Sequence, residues 1–491
     1  MWFGDETWTM LTVRALASTG VACVPEALGS SLAHSNGFVN GSIWLSGIIY
    51  GIPANVFASI ASPVEIGRVI TLMLSLVMLF VVYRVAFTIT VSPLSSAFGV
   101  FLLVLTNAFY FSSHSARLDL ITGLAVILYV LLLIRAYNAS HNPSGSSMTR
   151  WSFILSFLSV LSLAVYVHVP TLILLPALYT LWVTGAFRSV RGWAAMALGS
   201  ASAMLLLLVP YYLTNGSITL LGHGYNQYYN VANSLPILHP FSWQVQKINT
   251  IDRAIQLWQV AWPLVSVLVI AIAAHFGLRQ RFSSKASFLL SISFLAIVSW
   301  MLAEGPAVFY NIHILPVLSV AAAVVITQIL ERYSQSSTFQ WSVALIALAL
   351  FIAVNISQHR MGEIGSRITS ENHEAVHALI DPIISTSYSS LVLTDQPALD
   401  EIAGTHGVRL MTNHLLLFGE ENKPLPNILR EKGVDYLLLY STVKWQSPFR
   451  PIADSLYTLV GQRIGILTDQ ARNYDELNAN EKDTLRLYKA R

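Results

Sequence analysis

Charge is what this 491-residue sequence has little of: Asp, Glu, Lys and Arg make up 11% of it, against roughly 25% in a soluble domain. A soluble globule of this length could not cover its surface with so few charges. An apolar content of 54% excludes a disordered chain. The single cysteine, Cys23, excludes an internal disulfide and a cysteine-built metal cage. No long basic run occurs, and a net charge of +3 gives no electrostatic footprint for nucleic acid. The opening residues, Met1 to Glu6, lack the basic start and apolar run of a signal peptide. There is no nucleotide-binding glycine pattern, no P-loop and no G-x-S-x-G.

What is present is a series of long apolar runs. A membrane-spanning helix needs about 20 apolar residues. Ten stretches qualify: 63–87, 93–111, 119–136, 151–168, 170–187, 193–213, 255–277, 286–303, 307–330 and 338–357. The stretch 41–60 is also apolar, but Gly41, Gly47, Gly51 and Pro53 interrupt it. It reads as a helix in the membrane interface or a re-entrant piece, with an eleventh span as the alternative. The expected architecture is a polytopic α-helical membrane body over 1–358. Within it, 1–62 forms an outer loop with interfacial helices and 63–357 carries about ten spans. A C-terminal α/β domain follows over 359–491.

Basic residues set the orientation. Alternate gaps between spans carry Arg84, Arg135, Arg150, Arg188, Arg191, Arg279, Arg281, Lys285 and Arg332, with Glu331 as their one acid. These gaps are therefore cytoplasmic. Seven of the eight acids before residue 360 then face outward: Asp5, Glu6, Glu26, Glu65, Asp119, Asp252 and Glu304. The C-terminal domain is extracytoplasmic on the same count. Acids close to a membrane are costly and mark function more often than ordinary surface.

The tail alternates strand and helix signals. Strands are expected at Ser390 to Thr394, Val408 to Met411, Val434 to Tyr440 and Ile464 to Leu467. Asp395-Gln396-Pro397 reads as a helix start, and Pro426 to Lys432 as a short helix stopped by Gly433. Such alternation argues for a mostly parallel sheet.

The outer face holds the residues with chemical potential. Asp5 and Glu6 could bind a divalent cation or act as a general base, or could simply favour the start of a helix near Thr7. In His114-Ser115-Ala116-Arg117-Leu118-Asp119, Arg117 could hold a phosphate and Asp119 could orient an acceptor or a metal. The plain reading of that run is interfacial anchoring and an acid at a helix start. His168 lies in an outer turn before Pro170, as an interfacial residue or a metal or phosphate ligand. His114, Tyr310 and His313 are candidate pocket walls. His223, Tyr225, Tyr228, Tyr229 and His239 crowd the 214–254 loop, as an aromatic belt or a stacking surface for sugar.

These features together resemble the integral-membrane C-type glycosyltransferases (GT-C), in particular the protein O-mannosyltransferases and lipid A aminoarabinose transferases. The shared elements are the outer acidic pair, the Gly-rich interfacial region and Glu65-Ile66-Gly67-Arg68 heading a span. To these are added Ser115 to Asp119 heading a later one, Pro170 in an outer turn, Tyr310 six residues before Pro316, and the C-terminal domain. The likeness covers most of residues 4–330 and rests on order and topology more than on any one string.

The resemblance implies an enzyme that moves a sugar from a polyprenyl-phosphate carrier to an acceptor at the outer face of the plasma membrane. The acceptor would be an envelope glycan, a lipid or a protein. Asp5, with Glu6 beside it, would be the base, Asp119 a second catalytic acid, and Arg117 and His168 the donor-phosphate ligands. A divalent metal, if used, would sit on Asp5, Asp119 and His168. Many members carry Lys where this sequence has His168. The resemblance also implies a membrane helix before the acidic pair, so the expectation is a start set too late or a fragment. The competing reading is a transporter or flippase, which needs polar groups along a mid-membrane path. The sequence offers only scattered Ser and Thr there.

Overall fold

A computed structural model describes residues 47–57, 59–61, 63–115, 119–140, 145–165, 168–215, 282–303, 308–333, 374–383, 390–394, 408–412, 424–440, 449–466 and 482–491, with parts of 254–273 and 342–356. It is mostly helical, with a small sheet near the C-terminus.

A single π-helical turn, Gly47–Gly51, runs into the short helix α1 (Ile52–Val56). Longer elements follow among the described residues, including α2 (Pro63–Thr90), α3 (Pro93–Val104), α4 (Asn107–Ser113), α5 (Asp119–Ser140), α6 (Gly145–Leu161), α7 (His168–Val183), α8 (Val190–Asn215), α9 (Ser284–Ala303), the 3-10 turn Val308–His313 and α10 (Leu315–Tyr333). Among the described residues, α2, α5, α8 and α9 are long and apolar enough to cross a membrane, with α3 and α4 together as a fifth. The chain is a multi-pass membrane protein. Shorter apolar helices lie at 148–161, 172–183, 261–270 and 315–327.

The expected span over 93–111 is broken. Helices α3 and α4 meet at 75°. Pro93 opens α3, with the Ser92 hydroxyl accepting from the Ser95 amide at 3.3 Å. At the bend the Thr106 hydroxyl donates to the Leu103 carbonyl at 2.8 Å and accepts from the Phe109 amide at 3.2 Å. One buried side chain thus satisfies both a helix end and a helix start, groups that would be costly unpaired in an apolar setting.

Helix α5 is the centre of the body. Fourteen of its 22 residues are buried, as expected for a helix surrounded by others. At one end Tyr137 stacks on Phe288 of α9 at 4.1 Å, and Tyr179 of α7 lies 6.0 Å from the same ring. Midway, the Tyr129 hydroxyl donates to the Leu155 carbonyl of α6 at 3.0 Å and lies 2.6 Å from Ser159 Oγ. Small residues set the closest approaches elsewhere. A Cβ at Gly99 of α3 would lie 2.8 Å from the Ser319 carbonyl and 2.9 Å from Ala323 Cβ of α10. One at Gly199 of α8 would lie 2.5 Å from the Phe153 carbonyl of α6. Small residues at such crossings let backbones meet where no hydrophobic effect drives helices together. Outward, Val69, Leu72, Met73, Leu76, Val77 and Phe80 of α2 form an exposed apolar stripe, the face a lipid-bathed helix presents.

The C-terminal sheet has five strands: β1 (Ser390–Thr394), β2 (Val408–Thr412), β3 (Tyr436–Tyr440), β4 (Tyr457–Ile466) and β5 (Lys482–Ala490), in the order β2-β1-β3-β5-β4. Helices α11 (Leu425–Lys432) and α12 (Arg450–Leu456) accompany them. Gly433 ends α11 in the left-handed region at φ 65°, as its position predicts. The expectation of a mostly parallel sheet is corrected: β1 pairs parallel with β2 and β3, but β5 runs antiparallel to both β3 and β4. Strand β5 carries four charged residues, Lys482, Asp483, Arg486 and Lys489, which hid it from an apolar-run reading; Leu485 and Leu487 between them are buried. Strand β4 also starts seven residues before the expected Ile464. The expected helix start at Asp395 lies outside the described residues.

Candidate functional site

The site forms where the head of α5 meets α2, the 47–51 turn and the Val308–His313 turn. Asp119 is the first residue of α5, where the helix dipole favours a carboxylate. It is nevertheless only 5% exposed. One helical turn on, Gly123 lies on the same face. A Cβ there would stand 2.7 Å from the Ile312 carbonyl and 3.1 Å from Met78 Cε. The absent side chain lets the 308–313 turn lie directly on α5, and this puts the next residue, His313, against Asp119. His313 Nε2 is 3.4 Å from Asp119 Oδ1, with the imidazole fully buried. That is an ion-pair distance, longer than a tight hydrogen bond. Asn311, Ile312, Ile314 and Leu315 are buried too, so the end of the turn lies in the core.

Tyr50 of the 47–51 turn is buried as well. Its hydroxyl is 3.1 Å from Thr71 Oγ1, and Thr71 donates to the Gly67 carbonyl at 2.9 Å. The 47–51 turn is thereby fastened to the first turns of α2, on the Glu65-Ile66-Gly67-Arg68 run. Burial pushes the Tyr50 phenol up to about 12; the Thr71 hydrogen bond opposes this slightly and the nearby Asp119 charge adds to it. Tyr50 is therefore a neutral hydroxyl held by Thr71.

Of the residues selected from sequence, Asp119 and His313 come together. His114 lies elsewhere: it is exposed at the end of α4, its Nδ1 is 2.6 Å from the Tyr110 carbonyl and 3.0 Å from Ser113 Oγ, and its ring packs 4.7 Å from that of Tyr110. His168 is the first residue of α7 and Tyr310 belongs to the 308–313 turn. Asp5, Glu6 and Arg117 lie outside the described residues. Sequence reasoning missed Tyr50, Thr71 and Gly123. Gly123 had a usable signal, a glycine one turn after an acid at a helix start. Among the described residues, no three His, Cys, Asp or Glu side chains converge as a metal-binding group.

Buried pairs of this kind fix geometry. A buried carboxylate on a helix start, with a buried imidazole at ion-pair distance, has few orientations open to it.

No family model matches the chain, and no curated protein matches it in sequence. Solved structures do match. Crystal structures of ArnT from Cupriavidus metallidurans, a lipid A aminoarabinose transferase of the GT-C class, superpose over 98% of this chain and 93% of theirs at 11% identity. The TM-score is 0.60 for the structure bound to undecaprenyl phosphate and 0.59 for the apo state. The chain therefore has the fold of ArnT.

Proposed function

We propose that this protein is a glycosyltransferase that moves a sugar from a polyprenyl-phosphate donor to an acceptor at the outer face of the plasma membrane. The observation that supports it is the shared fold over 98% of the chain with a protein crystallised with undecaprenyl phosphate. The outward placement of the acids expected from the loop charges, and Asp119 at the head of α5, agree with it.

The chemistry follows from the donor. An acceptor hydroxyl attacks the sugar's anomeric carbon, the bond from that carbon to the phosphate oxygen breaks, and polyprenyl phosphate leaves. Phosphate is already a good leaving group, so the site must offset its charge and remove the acceptor's proton. Arg117 and His168 are assigned to the phosphate, and Asp5, with Glu6 beside it, to the acceptor proton. Asp119 is assigned to orienting the reacting groups from a fixed, buried position. A divalent cation would take Asp5, Asp119 and His168 as ligands and would add charge compensation at the phosphate. The C-terminal sheet lies on the acceptor side in this reading.

Membranes containing the protein, incubated with a panel of radiolabelled polyprenyl-phosphate sugars, test the proposal. Label should leave one lipid in wild type and stay on it in Asp5→Asn. If a folded wild type consumes no lipid in a broad panel, the transferase reading fails and transport of the lipid becomes the next assay.

A further inference from the structure

We propose that His313 is a positioning residue that holds the Asp119 carboxylate in its working orientation. This rests on the transferase reading. Three features of the fold carry it. The first is the Nε2 to Oδ1 separation of 3.4 Å between two groups that are both buried. A carboxylate and an imidazole taken out of water are costly to keep singly, so each needs the other. The second is the lock on the imidazole itself. Ile312 seats its carbonyl on Gly123, and Asn311 and Ile314 flank it in the core, so the ring cannot swing to another partner without the turn lifting off α5. The third is the setting: Tyr50, buried and tied to Thr71, is near enough to Asp119 for the carboxylate's charge to act on its phenol.

An aspartate in solvent samples several side-chain rotamers, and a carboxylate that acts on a bound substrate must hold one. His313 supplies that constraint without touching the substrate. The imidazole meets Oδ1 at ion-pair distance rather than through an aligned hydrogen bond, and a glutamine amide at the same position can place a polar N–H beside the same oxygen. A leucine fills the volume and presents none.

The test is steady-state transfer in membranes, using the radiolabelled polyprenyl-phosphate sugar that wild type consumes, with thermal unfolding of each purified variant. His313→Leu should lower kcat about 100-fold while KM stays within about 3-fold, the pattern of lost transition-state positioning. His313→Gln should recover kcat to within about 10-fold of wild type. Asp119→Asn combined with His313→Leu should be no slower than Asp119→Asn alone, since residues acting as one unit are not additive. The proposal is overturned if His313→Leu keeps wild-type kcat. It is also overturned if Leu and Gln variants lose activity equally with matching losses of unfolding temperature, which is a structural role. Multiplicative losses in the double variant would overturn it as well. A wild type with no transfer at all would instead sink the transferase reading.

Discussion

The Ile312 carbonyl occupies the place a side chain at Gly123 would take: a Cβ there would lie 2.7 Å from that oxygen. The neighbour is backbone in a packed turn, so it cannot turn aside as a flexible side chain would. Gly123→Ala should push the 308–313 turn off α5 and open the gap between His313 and Asp119. The expected cost is about 1–3 kcal/mol of stability, the usual range for overpacking, together with at least a 10-fold fall in transfer. Thermal unfolding and the lipid-sugar assay read both, and an active, fully stable Gly123→Ala would mean the turn is not docked as described.

Asp119 itself should matter more than any neighbour. Asp119→Asn preserves shape and removes charge. Transfer should drop about 10²-fold or more, the scale for losing a group that orients the reacting atoms, while unfolding temperature changes little. Wild-type rates in that variant would remove Asp119 from the mechanism.

In the C-terminal sheet, the Tyr457 hydroxyl donates to the Val434 carbonyl at 3.0 Å. Burial, with the Asp435 charge adding to it, raises the phenol from 10.0 to about 12. Its proton is thus held in the fold above the pH at which the unfolded chain releases it. The contribution to stability is complete below pH 10 and disappears as pH rises through 12. Limited proteolysis of the full-length protein between pH 8 and 12 should show the sheet loosening at the alkaline end. Tyr457→Phe should flatten that dependence, at a cost near 1 kcal/mol at neutral pH for the lost hydrogen bond.

Gly433 separates backbone strain from packing. Its φ is 65°, and a Cβ there would meet nothing within 4 Å. Gly433→Ala should therefore cost only the left-handed penalty, about 1–2 kcal/mol, and Gly433→Asn less, since Asn tolerates that region. Protease resistance of 425–440 gives the ranking; equal resistance in all three proteins would contradict the αL cap.

The sequence made Asp119 visible because an acid opening an apolar run is rare and expensive. It made Gly433 visible through its place after a short amphipathic stretch. The partnership of Asp119 with His313 was not visible, because the two are far apart in the chain and only helix packing joins them. The bend at Thr106 escaped for another reason: hydropathy measures polarity, and a 75° turn capped by one buried hydroxyl changes direction without changing polarity. Strand β5 was hidden by its charges. They fall at both odd and even positions, Lys489 in step with the buried Leu485 and Leu487, so no alternation of polar and apolar residues marks the strand.

The strand order β2-β1-β3-β5-β4 has a consequence for biosynthesis. Strand β4 leaves the ribosome before β5, yet β5 is what joins it to the rest of the sheet. During that interval a ten-residue strand bearing exposed Leu459, Val460 and Ile464 has neither edge paired, the condition in which strands recruit the wrong neighbour. A premature stop before Lys482 would make that interval permanent, stranding β4 and stripping β3 of its antiparallel partner. Nonsense changes this late in the reading frame should therefore be read by quality control as gross misfolding, although all of the membrane body has by then been made.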